Sequence, residues 1–356
     1  MDTLLSPCRR RLLGAFGGLG ALALAGCGER VRSGQAANAP LQFAGETMGT
    51  GYLVKLAGAG LSAARLERLA ADVHAALDGV DRGMSLYRPD SELMRLNRHA
   101  AATPLPLSKD LYAVLAAGQH VAELSQGAFD VSVAPLVHAW GFGTEKRRVV
   151  PARGEVLAQR AVVDYRGLRL DAGHRAAVKT HTGVQLDLGG IAKGYGVDLA
   201  ARALDANGVE NYMIEVGGEV RTRGGNARGR PWQIGIEEPD AVPQRARTVV
   251  PLAGRSMATS GDYRIYFEHA GRRYSHEIDP RTAAPIVHGL ASVTVVADDC
   301  MSADALATAL IVLGPQAGWA LAQRESLAAY FIVRDAEGRL HDRATEAFAA
   351  LTGAAA

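Results

Sequence analysis

The stretch that most constrains this chain is Leu186 to Tyr195, LDLGGIAKGY. Apolar residues around Asp187 read as a strand end, Gly189-Gly190 as a turn, and Ile191 onward as a helix. Two residues without a Cβ let the backbone come close to a ligand. A helix start offers unpaired N–H groups and a partial positive charge, which suit a phosphate. Lys193 falls in the first turn, where the helix dipole disfavours a cation. An anionic ligand would reconcile the two, although a tight strand–helix turn with a solvated lysine would have the same sequence. The glycine–lysine–Ser/Thr order of a Walker loop is missing, and so is the GxGxxG spacing of a dinucleotide fingerprint.

A chain of 356 residues has room for about two domains or one large one, and for a real hydrophobic core. Its net charge of +2 gives no electrostatic footprint for nucleic acid. Of the three cysteines, Cys8, Cys27 and Cys300, no two form a CxxC metal pair.

The first segment reads as an export signal. Arg9, Arg10 and Arg11 form a basic region, and Leu12 to Ala25 is apolar but too short and glycine-rich for a typical spanning helix. Leu24-Ala25-Gly26-Cys27 resembles a lipobox, in which the cysteine is lipidated and becomes the new first residue. An ordinary signal peptide cut nearby, or a buried helix, would be the plainer alternatives. The expectation is a signal peptide over 1–26, a lipidated polar tether over 27–40, a folded domain over 41–349 and a disordered tail over 350–356. The mature protein would be exported and membrane-anchored, facing the periplasm, with Cys300 as its only unmodified thiol. The arginine run also loosely fits a twin-arginine signal.

Along the folded part, Phe43 to Leu56 reads as a strand pair bending at Gly49 and Gly51. Ser62, Ser91 and Ser108 read as helix caps. Val162 to Leu170 and Ala177 to Leu188 read as strands. The sequence predicts a helix from Ile191 to Ala206 closed by Gly208, a strand from Tyr212 to Val216, and strands near Trp232 to Ile236 and Thr248 to Leu252. It also predicts a hairpin turning near His269 to Gly271, a strand over Ser292 to Val296, and a helix from Ala303 to Leu313 capped by Ser302 and ended by Gly314. A last strand runs from Ala328 to Val333.

Asp304 and Thr308 are four residues apart on that helix, hence on one face. A carboxylate and a hydroxyl there could hold a hard cation, since Mg²⁺ takes oxygen ligands. An N-terminal Asp and a threonine bonded to its own helix would look the same. His276 could be a general base or a hydrogen-bonded structural histidine, and Ser260 a nucleophile or a turn residue. Asp130 and Tyr87 could hold a planar ligand by hydrogen bond and stacking, or belong to core and turn.

Taken together, Met48-Gly49-Thr50, Ser85 to Asn97, Gly127-Ala128-Phe129-Asp130, Trp140-Gly141-Phe142-Gly143, Asp187 to Tyr195, Gly217-Gly218-Glu219, Thr259 to Tyr263, His276 to Thr282 and Ala303 to Ala309 resemble the ApbE family of FAD:protein FMN transferases, in the order seen there. The resemblance spans about Phe43 to Leu313. It implies an α+β fold of mixed sheets packed by helices, with a flavin cleft between two lobes. It implies an exported, Mg²⁺-dependent enzyme that splits FAD and attaches FMN to a threonine or serine of an acceptor protein, releasing AMP. Flavin contacts would fall on Met48, Tyr87, Ala128, Phe129, Asp130, Asp187, Lys193 and Ile278. The metal would be held by Asp304, Thr308 and backbone groups of Gly190 and Ala307. His276 matches the histidine that activates the acceptor hydroxyl. The implied acceptors are flavoprotein subunits of membrane redox complexes. One departure stands out: where the family has DPRTG, this chain ends the motif in Ala283. An FAD pyrophosphatase using water as acceptor, and a non-enzymatic flavin-binding lipoprotein, are the competing functions.

Overall fold

Short-range signals set most helix starts. The Ser62, Ser91 and Ser108 hydroxyls accept the backbone N–H groups of Arg65, Met94 and Leu111, each satisfying a donor that a helix start leaves unpaired. The computed structural model describes residues 41–353 apart from 59, 146 and 148, so the signal segment, Cys27 and the tether lie outside the described residues.

The chain opens with a hairpin of β1 (Leu41–Thr47) and β2 (Thr50–Leu56), whose turn holds Met48 and Gly49 at positive φ. α1 (Ala63–Met84), α2 (Glu92–Arg98), β3 (Leu105–Pro106), α3 (Lys109–Leu124), α4 (Ala134–Ala139) and α5 (Arg153–Arg160) follow. β4 (Leu168–Asp171) and β5 (Ala176–Lys179) lead to α6 (Ala192–Ala206). Then come β6 (Tyr212–Val216), β7 (Glu219–Arg223), β8 (Trp232–Glu237), β9 (Ala246–Leu252), β10 (Ser256–Gly261), β11 (Tyr266–His269) and β12 (Arg272–Ser275). β13 (Ile278–Asp279), β14 (Ala284–Pro285), β15 (Leu290–Ala297), α7 (Cys300–Arg324), β16 (Ala328–Arg334), β17 (Leu340–Ala344) and α8 (Glu346–Thr352) complete the chain.

The architecture is α+β. Eight strands form the main sheet in the order β1-β2-β6-β7-β10-β15-β16-β17, antiparallel at each step. Alternation along its strands divides two cores. Tyr212, Ile214 and Val216 of β6 join Leu69, Val73 and Leu77 of α1 and Val197 and Leu204 of α6. Met213, on the other face, joins Trp232, Val250 and Phe348 of β8, β9 and α8. Ala258, Val293 and Val295 pack on α7, whose Leu310 and Ile311 are wholly buried. α7 has the length and hydropathy of a membrane span, but this burial makes it a core helix.

Four expectations are adjusted. First, Ser302 does not cap α7. Asp299 does, by accepting the Ser302 N–H, and the helix begins at Cys300. Second, the expected helix does end at Gly314 (φ 81°, ψ −178°), but helical structure resumes directly after it. Pro315 follows and starts a second segment running to Arg324, because a first-turn position needs no N–H. Third, the strands expected over Val162 to Leu170 and Ala177 to Leu188 shrink to β4 and β5. At the other end of the domain, α8 carries ordered helix past Ala349 to Thr352, so the tail expected from residue 350 is helical in its first part.

Candidate active site at the junction of two helices

Leu186 to Leu188 lie outside any strand, because a side chain takes the place of a neighbouring strand. Asn97 at the end of α2 donates to the Leu186 carbonyl (3.0 Å) and accepts the Leu186 N–H (2.7 Å). The Asn97 carbonyl in turn accepts from buried Lys179 and from Gln185. One residue on, the Asp187 N–H donates to the Val131 carbonyl, which lays the segment beside Phe129 and Asp130. Asp187 Oδ1 accepts the Gly189 N–H at 2.8 Å and shapes the turn. Burial pushes the Asp187 carboxyl up, against the Gly189 N–H and His138.

The turn brings Gly190 against α7. A Cβ at Gly190 would lie 2.9 Å from Thr308 Oγ1 and 3.3 Å from Phe129 Cε2. At Gly194 a Cβ would meet the Cys300 carbonyl and lie 2.8 Å from Asp304 Cβ. α6 and α7 therefore cross in backbone contact at Gly194, where only glycine fits. Thr308 Oγ1 is also 3.3 Å from Ser260 Oγ of β10. Ala307, fully buried, occupies the same turn of α7.

Asp304 is 3% exposed and accepts the Gly194 N–H on Oδ2 at 2.9 Å. Lys193 lies 2.7 Å from Glu219 Oε1 and 3.7 Å from Asp304 Oδ1. Burial pushes the Asp304 carboxyl up, against Lys193 and the Gly194 N–H. Burial also pushes Glu219 up to about 7; Lys193 pulls it down and Asp304 adds to the rise. For Lys193, burial opposes the charge, but Asp304 and Glu219 outweigh it and raise the pKa.

His276 follows β12. Both its backbone N–H and its ring Nδ1 lie 3.1 Å from the Ile265 carbonyl. A carbonyl only accepts, so Nδ1 carries the proton and Nε2 holds the lone pair of the neutral ring. Nε2 is 3.5 Å from Glu277 Oε1. Burial raises the Glu277 carboxyl, and its charge interacts with His276, Lys193 and Asp304, so the histidine borders the same cluster. Behind His276, Tyr274 stacks on Trp140 and Phe267.

The Trp140 Nε1–H donates to the Ala283 carbonyl at 2.9 Å. Ala283 itself has φ 59° and donates its N–H to the Asp279 carbonyl. The departure from glycine therefore leaves the left-handed backbone in place, with an alanine strained into it.

Of the expected flavin contacts, Ala128 and Phe129 are buried beside the Gly190 turn. Asp130 is buried with both oxygens engaged: Oδ1 accepts the Ser132 N–H and hydroxyl at 2.7 Å, and Oδ2 accepts the Tyr165 N–H at 2.9 Å. Met48 packs its Cε over Gly196 of α6, one turn beyond Lys193. Ile278 is buried in β13. Tyr87, after α1, is a surface ring 66% exposed, with its N–H on Ser85 Oγ. The structure thus gathers Gly190, Lys193, Asp304 and Thr308, with Phe129 and Asp187 beside them. Sequence reasoning missed Glu219 and Glu277 as site residues. The available signal for Glu219 was a charged residue directly after Gly217-Gly218 and before an apolar position.

Among the described residues no three His, Cys, Asp or Glu side chains group as a metal site. What the junction of α6 and α7 does bring together is one buried carboxylate, Asp304, and one hydroxyl, Thr308, a turn apart on α7.

The sequence profile of the ApbE family matches residues 48–331. An FAD:protein FMN transferase of Haemophilus influenzae is 42% identical over 337 residues, covering 93% of this chain and 95% of the relative. The flavin transferase ApbE of Vibrio cholerae superposes with a TM-score of 0.80 at 39% identity, covering 88% of this chain and 99% of the other. The apo flavinyl transferase ApbE of Pseudomonas stutzeri gives 0.80 at 41% identity, covering 89% and 98%.

Proposed function

The chain belongs to the ApbE family and is an FAD:protein FMN transferase, and we propose that it performs this transfer as an exported, Mg²⁺-dependent enzyme. A threonine or serine hydroxyl of an acceptor protein attacks the flavin-side phosphorus of FAD. An oxygen–phosphorus bond forms to the acceptor, the bridging P–O bond breaks, AMP leaves, and the hydroxyl proton passes to the protein.

The observation that carries this reading is the meeting of Gly190, Lys193, Asp304 and Thr308 where α6 crosses α7. The donor set fits Mg²⁺: Asp304, Thr308 and backbone carbonyls of Gly190 and Ala307 are all hard oxygens, and a small protein set leaves positions for phosphate. Gly190 fits as well, since a Cβ there would crowd Thr308 Oγ1. When bound, the cation supplies charge neutralisation at the pyrophosphate. Lys193 adds a positive charge to the same locality. His276, its Nδ1–H engaged by Ile265, presents Nε2 to take the acceptor proton. Met48, Tyr87, Ala128, Phe129, Asp130, Asp187, Lys193 and Ile278 are the proposed flavin contacts. The Tyr87 ring is exposed for stacking, and Asp130 acts by holding the Phe129 loop.

The decisive experiment is the mass of an acceptor subunit from a membrane redox complex after incubation with FAD and Mg²⁺. The expected result is a gain of one FMN with release of AMP. Free FMN with an unmodified acceptor would instead identify a pyrophosphatase. We place the mature enzyme on the periplasmic side of a membrane through a lipid on Cys27. A mature protein whose mass lacks acyl chains would overturn that placement.

A further inference from the structure

Lys193 does not simply await an anion. Its ammonium is 2.7 Å from Glu219 Oε1 and 3.7 Å from Asp304 Oδ1, and both acidic side chains are 4% exposed. Asp304 Oδ2 is anchored by the Gly194 N–H, so Oδ1 is the oxygen left to coordinate a cation. It is also the oxygen Lys193 leans toward. A lysine and a divalent cation thus compete for one site of negative charge.

Glu219 is built to decide that competition. It is the first residue of β7, paired with Val216 across a turn in which Gly217 and Gly218 have φ 62° and 111°. The strand register and burial hold its side chain under the Lys193 ammonium. Its second oxygen, Oε2, has no hydrogen-bond partner, so the carboxylate has Lys193 as its compensating partner.

Resting on the reading that Asp304 holds the cation, we propose that Glu219 is a positioning residue that draws Lys193 off Asp304 and keeps Oδ1 open for the metal. Without the Glu219 charge, the flexible lysine turns to Asp304, the buried carboxylate already 3.7 Å from its ammonium, and obstructs the cation.

The test uses Mn²⁺ alone, titrated into the FAD-free full-length protein and followed by the electron paramagnetic resonance of the free ion. No turnover is involved, and circular dichroism confirms folding. Glu219→Gln should bind Mn²⁺ about tenfold more weakly than wild type, the order expected for one lost charge partner. Adding Lys193→Met to Glu219→Gln should bring affinity back to within about threefold of wild type, because the competitor is gone. Lys193→Met alone should bind at least as tightly as wild type. A Glu219→Gln protein with wild-type Mn²⁺ affinity, or a double variant no tighter than the single, overturns the inference. If Glu219→Gln fails to fold, Lys193→Met decides alone, and weaker Mn²⁺ binding by it overturns the inference too. Asp304→Asn separates the two readings. Undiminished binding there overturns the cation site itself, whereas lost binding there beside an unaffected Glu219→Gln overturns only the role given to Glu219.

Discussion

The Asp198 carboxylate of α6 accepts the backbone N–H of Cys300 at 3.0 Å, so one site-bearing helix caps the other. Oδ2 also accepts the Met301 N–H, and Oδ1 pairs with Arg221 of β7. Asp198 is 3% exposed. It therefore ties together the three elements that carry Lys193, Glu219, and the Asp304–Thr308 pair. Asp198→Ala should strand a partly buried arginine and two helix-start donors, at a cost of about 3–5 kcal/mol. Urea unfolding measures it; a loss below about 1 kcal/mol would show that other contacts hold the junction.

Gly190→Ala should separate folding from catalysis. The added Cβ meets the ends of two side chains, Thr308 and Phe129, which can yield. Overpacking of this kind costs about 1–3 kcal/mol, so the protein should still fold. Transfer should fall more than tenfold, because the yielding side chain includes the proposed metal-binding hydroxyl. Wild-type turnover in a folded Gly190→Ala enzyme would remove Gly190 from the site.

His276→Ala tests the base. Transfer should slow by about 10²–10⁴-fold, the usual span for loss of a general base, with FAD affinity kept. The stack of Tyr274 on Phe267 supports the strand without the imidazole, so the fold should survive. A large loss of FAD affinity would move His276 from chemistry to binding.

Ala283→Gly should be a stabilising substitution. An L-residue at φ 59° is strained, and glycine relieves that strain by about 1 kcal/mol while keeping both backbone hydrogen bonds. Thermal unfolding of the two proteins side by side gives the sign; a lower midpoint for the glycine variant would mean the buried methyl outweighs the strain.

Glu219 carries a pH signature in the metal-free protein. Its pKa is raised from the ordinary glutamate value to about 7 by burial. A carboxyl raised on folding favours the native state when protonated, so its contribution is fully present below the unfolded pKa. It is lost as pH rises through about 7. Other groups titrate in this range, so the readout is the difference between wild type and Glu219→Gln. The variant should lose less stability between pH 5 and pH 8, and equal slopes would contradict the shift.

What the sequence determined by itself is local. A cap needs one serine and an N–H three residues on, so Ser62, Ser91 and Ser108 announce their helices. A hairpin needs a turn between alternating residues, so the turn at Ala270 and Gly271 is legible, as is β6 between its glycine-bounded ends. The Gly189-Gly190 opening could be read as a place of close backbone approach, and the ordered motifs supplied the family. The tertiary structure decided everything that depends on a partner far along the chain. Leu186 has no strand beside it because an Asn97 side chain 89 residues away takes its hydrogen bonds. α7 starts at Cys300, where Asp299 caps it from the adjoining residue and Asp198 from another helix. Lys193 looked like a cation facing a phosphate, and the fold set two buried carboxylates against it. Periodicity reports which face of an element is apolar. It carries no signal for which buried charges will meet, since that depends on how α6, α7 and β7 are brought together.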